Sequence, residues 1–189
     1  MQVKDISKQH KEIDKLNKAN NDFIIFKSIE SDILNDGSLD YEDDVLETFD
    51  FVIASVHSVL KMDEERATKR LITAIENPYT RILGHMTGRL LLSRKGYPVD
   101  HKKVIDACAA NNVVIEVNAN PHRLDIDWKW LPYCAKKGVH VSINPDAHSL
   151  EGILDTRFGV ISARKGMLLK EHTLNAKSKE EFQAWCERK

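Results

Sequence analysis

Short apolar runs recur along this chain with a nearly regular spacing, and that rhythm limits its folds more than any other feature. They begin near residues 23, 51, 80, 113 and 139, at intervals of 26 to 33 residues: FIIFKSI (23–29), FVIASV (51–56), TRILG (80–84), VVIEVN (113–118) and VHVSIN (139–144). Each is an almost continuous stretch of Val, Ile and Phe, the pattern of strands covered by helices. Between them lie helical segments. DEERATKRLITAIE (63–76) carries acids in its first turn, which suits the helix dipole, and Pro78 stops it. A second helix begins at Asp100 and runs to 111, and IDWKWLPYCAKKG (126–138) ends at Gly138. Ile6, Ile13 and Leu16 form a thin apolar stripe that predicts an amphipathic helix over 4–19. DILNDGSLDYED (32–43) reads as turns. Helices are expected around 150–155 and 178–188, with a short strand near 158–162.

Strand and helix in alternation imply parallel pairing through right-handed crossovers, so the class is α/β. No linker and no repeated motif divides the chain, and a single domain is expected over residues 1–189.

Composition narrows the partners. Of 189 residues, 42% are hydrophobic and 30% charged, which excludes a disordered chain. Lys plus Arg number 28 against 29 for Asp plus Glu, a net charge of -1 that argues against a freestanding nucleic-acid binder but not against a module delivered by another domain. Three cysteines (Cys108, Cys134, Cys186) without a CxxC spacing imply free thiols and a cytoplasmic setting. The opening MQVKDISKQHKEIDK has no apolar core of a signal peptide, and no run is long enough for a membrane span, so no membrane partner is expected.

The informative residues follow the apolar runs. FIIFKSI leads into Glu30, FVIASV into His57, TRILG into His85, VVIEV into Asn118 and Asn120, and VHVSIN into Asp146 and His148. In parallel α/β architectures active sites assemble at that carboxyl edge. A single histidine at a strand end is more often a structural residue, and Asp146 alone would serve as a helix cap. Their coincidence on one edge points instead to a metal site, and three imidazoles with two carboxylates suit Zn, Mn or Fe rather than Ca. Arg89, Arg123 and Arg157 are the cationic candidates for phosphate contact, with a surface ion pair an equal alternative for each. His10, His101, His140 and His172 read as structural or surface residues, and His122 as lying behind the site or on the surface. Trp128, Trp130 and Trp185 read as packing, and Cys108 as a small core residue. No Gly-rich phosphate loop and no GxSxG elbow is present.

IESDILNDGSLDY, DFVIASVHS, ENPYTRILGHMTGRLL, EVNANPHRLDIDW and INPDAHS, in that order, resemble the PHP (polymerase and histidinol phosphatase) domain, in particular the version at the carboxyl end of bacterial family X DNA polymerases. The resemblance implies a distorted seven-stranded, TIM-like βα barrel, a usually trinuclear metal site and metal-dependent phosphoester hydrolysis. It also implies a polymerase domain as neighbour in the full-length protein and a phosphate-ester substrate, such as a DNA 3′ end or histidinol phosphate. Glu30 resembles the family's bridging carboxylate, His57 the ligand of its SVH motif and His85 that of its GHPTG motif, with Met86 where Pro is usual. Asp146 and His148 resemble its final DxH pair. Catalytic roles are expected of Glu30, Asp146 and Arg123, and substrate contacts of Arg89, Asn118, Asn120 and Arg123.

The family opens with HxH and TDHS motifs that this chain lacks. The expectation is therefore an incomplete barrel, the carboxyl-terminal portion of such a domain. Its exposed first strand would be covered by the amino-terminal helix or by a second copy in a homo-oligomer. Three functions stay open: a polymerase-associated phosphoesterase acting on DNA ends, a small-molecule phosphatase of the histidinol-phosphate type, and a non-catalytic fragment with a partial metal site.

Overall fold

The computed structural model describes residues 3–20 and 22–187. Five strands, Ser28–Asp32 (β1), Phe51–Ser55 (β2), Thr80–Leu83 (β3), Val114–Asn118 (β4) and Val141–Asn144 (β5), form one sheet in the order β1-β2-β3-β4-β5. Every pairing is parallel, with Glu30 opposite Ile53 and Asp32 opposite Ser55. The helices are Val3–Ala19 (α1), Asp43–Leu46 (α2), Glu64–Ile75 (α3), His101–Asn111 (α4), Leu131–Lys136 (α5), Thr156–Lys165 (α6) and Lys179–Glu187 (α7). This is the expected α/β alternation, and the sheet does not close on itself.

Helix boundaries follow local chemistry. Asp63 caps α3 by accepting from the Arg66 amide at 2.8 Å, and Asp100 caps α4 through the Lys103 amide at 3.1 Å. Residues 126–138 are shorter in helix than expected, a 3-10 turn at Trp128–Trp130 followed by α5, and Glu151–Asp155 is likewise 3-10. Arg188, expected at the end of the last helix, lies outside the described residues. None of the described helices is long and apolar enough to cross a membrane.

Two sequence expectations are corrected. The first strand lies at Ser28–Asp32, not 23–29. Ile29 and Ser31 are its buried positions while Ser28, Glu30 and Asp32 alternate on the other face, so the strand itself reads polar, and the apolar run before it is an unpaired lead-in held to α1 by both ends of the Asn17 amide on Ile25, each at 2.8 Å. The strand expected near 158–162 is part of α6. Gly159, Ser162 and Ala163 face the protein at helical spacing, and a Cβ on Gly159 would lie 2.5 Å from that of Ala119. Small residues therefore seat this helix on the sheet, while Val160 and Ile161 point outward.

The sheet has two unlike faces. Val52, Ala54, Leu83, Ile115, Val117 and Val141 bury one face within the core that α3, α4 and α5 share. On the other, Phe51, Ile53, Ile82 and Val114 meet Leu174, Phe182 and Trp185 from the carboxyl-terminal segment. Both sheet edges are partly occupied. Asn175 accepts the Ile143 amide at 2.7 Å and donates to the Ile143 carbonyl at 3.0 Å, and Asp32 exchanges backbone and side-chain hydrogen bonds with Asp40.

Candidate metal centre

Three of the expected residues meet at the carboxyl edge. Glu30 comes from β1, His57 from just past β2 and His85 from just past β3, and one ligand atom of each lies within 4.8 Å of the others. His85 Nε2 is 3.1 Å from Glu30 Oε1 and His57 Nε2 is 3.5 Å from the same oxygen, with the two rings 5.1 Å apart. Gly84 permits this approach: a Cβ there would sit 2.2 Å from Ser55 Oγ.

His57 turns its other nitrogen, Nδ1, to Asp32. The ring is thereby oriented so that Nε2 faces Glu30. The hydrogen bond to Glu30 leads, with Asp32 adding to it against partial burial, and the imidazole pKa is pushed up to about 9. Burial raises the Glu30 carboxyl, but the hydrogen bonds from His57 and His85 outweigh it and leave Glu30 well below its usual value. His85 is 2% exposed and its Nδ1 has no hydrogen-bond partner. Buried polar atoms are rarely left so.

Glu116 and Asp32 were not singled out in the sequence. Glu116 stands inward in the middle of β4, accepts the His85 amide at 2.7 Å and the Asn144 side chain at 2.9 Å, and is pushed up by burial. An acid inside VVIEV, a strand buried at every position, was the available signal. Arg70 of α3 is a third such residue. The residue is 2% exposed, and its guanidinium donates to the carbonyls of Ile33 and Leu34 after β1 and to those of Ser58 and Val59 after His57. One buried cation thus ties together the two loops that flank Asp32 and His57.

The remaining candidates occupy different situations. Asp146 lines a cavity of about 240 Å³ together with Glu30, Glu116 and Asn144. Its Oδ2 accepts from Asn118 at 3.1 Å and lies 3.6 Å from Arg123 Nε. Asn118 is buried, and Asn120 accepts the His122 amide, fixing the loop that carries Arg123. His148 stands apart, with its side chain 86% exposed and its Nδ1 2.8 Å from the Asp146 carbonyl. The hydrogen bond ties the ring to its own loop, and His148 is not among the three residues that converge. Arg89, expected on phosphate, donates to the carbonyls of Arg123 and Leu124 and to Asp127, bracing the 123–127 turn. Arg157 lies over the Phe158 ring at 4.7 Å.

The donor set could hold a metal ion: two imidazoles and a carboxylate converge, with one imidazole buried and orphaned at Nδ1.

No protein-family model matches the chain. The DNA polymerase/3′-5′ exonuclease PolX of Bacillus subtilis is 43% identical over 183 residues, covering 97% of this chain and 32% of that protein. A probable phosphatase of Clostridium acetobutylicum is 35% identical over 136 residues, 67% of this chain and 53% of its own length. Another, from Caldanaerobacter subterraneus subsp. tengcongensis, is 34% identical over 134 residues, 66% of this chain and 50% of its own length. The chain therefore spans about a third of the polymerase/exonuclease and about half of these phosphatases.

Proposed function

We propose, for a chain akin over nearly all of its length to the PHP-containing PolX polymerase/3′-5′ exonuclease, a metal-dependent phosphoester hydrolase that acts at DNA 3′ ends beside a polymerase domain. The observation that carries the reading is the convergence of Glu30, His57 and His85 within 4.8 Å on one rim. Glu30, His57 and His85 would hold the metal, Asp146 would join them from the shared cavity, and His148 enters on the resemblance alone. When bound, a divalent ion supplies Lewis-acid polarisation of a phosphoryl oxygen and lowers the pKa of water toward neutrality.

The chain's own residues prepare that chemistry. Asp32 occupies Nδ1 of His57 and leaves Nε2 as the atom that would coordinate. Glu116 fixes the main chain at His85. Arg123, beside Asp146, is the cation placed to receive a phosphate, since a guanidinium meets two of its oxygens at once. Arg89 serves the same task indirectly by holding the Arg123 carbonyl.

The test is hydrolysis by metal-loaded protein of a 3′-recessed oligonucleotide, histidinol phosphate and a chromogenic phosphate ester, with Glu30→Gln and His85→Ala as controls. Activity on the oligonucleotide that both substitutions abolish is expected. Activity on the small esters alone would favour the phosphatase reading that the clostridial relative suggests. Activity indifferent to both substitutions would remove the site.

A further inference from the structure

The protein's net charge of -1 conceals an uneven distribution on the rim. An open groove of about 630 Å³ runs between the stretch after β2 and the stretch after β3. Lys61, Arg66, Arg94 and Lys95 line it, and all four side chains are exposed. Among the described residues Asp63 is the only acid in the lining, and its carboxylate already accepts the Arg66 amide. Among the described residues the ion pairs of the molecule go to other cations, so none of these four is held in one, although Glu64 and Glu65 follow Asp63 in the first turn of α3.

The two arginines are held in place. Arg94 donates through Nε and Nη2 to the Gly88 carbonyl, and Arg66 donates through Nη2 to Asn35. A guanidinium has five N–H groups, so each fork keeps donors free toward the groove. Both walls belong to segments that carry candidate ligands: one follows His57 in the chain and the other follows His85.

We propose that this groove is the track for the phosphodiester backbone of a nucleic-acid strand, whose end it delivers to Glu30, His57 and His85. Several fixed, unpaired cations suit successive phosphates, whereas a single small phosphate needs only one contact. Tyr97, the one aromatic residue in the lining, is buried with its hydroxyl on the Met86 carbonyl. It offers no face for stacking, so recognition runs through the backbone and is independent of base sequence. What happens to the strand's end rests on the hydrolase reading; the binding does not.

Fluorescence anisotropy of a dye-labelled single-stranded oligonucleotide of about a dozen nucleotides, with chelator present, tests it. Four phosphate contacts give a log–log salt slope near about -3. Lys61→Gln/Lys95→Gln is expected to halve that slope and weaken binding about tenfold or more at 0.1 M salt. Lys170→Gln/Lys177→Gln removes the same charge near the opposite, amino end of β5 and is expected to leave the slope near the parent value. Equal behaviour of the two double variants, no binding at low salt, or equal competition by poly-glutamate would each overturn the proposal. Groove-dependent binding without hydrolysis would strike the hydrolase reading alone, and hydrolysis without groove-dependent binding would strike the groove alone.

Discussion

Asp32 and His57, from neighbouring strands, form a carboxylate–imidazole pair in which the carboxylate holds Nδ1 and so turns Nε2 toward Glu30, 3.5 Å away. Such an outer partner fixes tautomer and orientation, and its removal typically lowers metal affinity about 10- to 100-fold. Asp32→Asn is expected to weaken zinc or manganese binding by that factor while circular dichroism stays that of the parent. Unchanged affinity in calorimetric titration would mean that Asp32 does not orient the ring.

The same pair sets a pH dependence in metal-free protein. The His57 pKa rises from its ordinary 6.5 to about 9, so its ion pairs contribute fully below 6.5 and fade as pH climbs through about 9. Urea midpoints of the parent should fall between pH 6 and pH 10 by more than those of His57→Gln. Parallel pH profiles for the two proteins would contradict the assignment. Because coordination requires the neutral ring, metal uptake in that window should also release a proton, which calorimetry in buffers of different ionisation enthalpy detects.

Arg70 offers a stability test. Arg70→Met leaves the carbonyls of Ile33, Leu34, Ser58 and Val59 without their common donor. Ile33 alone of the four is buried, so at about 1–3 kcal/mol per buried group left unpaired a loss of about 1–3 kcal/mol is expected in urea unfolding. Arg70→Lys should recover less than half of it, because an ammonium lacks the planar fork that spans both loops. Full recovery by lysine would show that charge alone matters there.

Gly84 and Ser55 should be energetically coupled. A methyl group on Gly84 would stand 2.2 Å from Ser55 Oγ, so Gly84→Ala is expected to cost about 1–3 kcal/mol through overpacking. Ser55→Ala in the same chain should return much of that cost, giving a coupling energy in a double-mutant cycle. Additive effects would place the strain elsewhere.

How far the sequence reveals the molecule depends on which face a residue serves. β2 to β5 are legible because at least one of their faces is filled with Val, Ile and Leu against helices, so each announces itself as an apolar run. β1 is not, because alternate positions, Ser28, Glu30 and Asp32, face the candidate site, and the more apolar segment beside it makes no ladder. Residues 158–162 misled for the converse reason: Val160 and Ile161 are exposed, and the helix is seated by glycine and alanine. Glu30, His57 and His85 could be read from their positions after successive runs. Asp32, Glu116 and Arg70 could not be found by that rule, since they act on the main chain or the far nitrogen of another residue, a relation that exists only once the strands are side by side.

The Asn175 amide imitates one residue of a neighbouring strand, giving and taking a hydrogen bond at Ile143 on the outer side of β5. Ageing chemistry that converts this amide to an acid would erase the donor and set a negative charge against a carbonyl. The border of the sheet would then be open to pairing with another molecule. Shelf life of a purified sample thus hangs on a single nitrogen atom, in a side chain that also lines the cavity shared by Glu30 and Asp146.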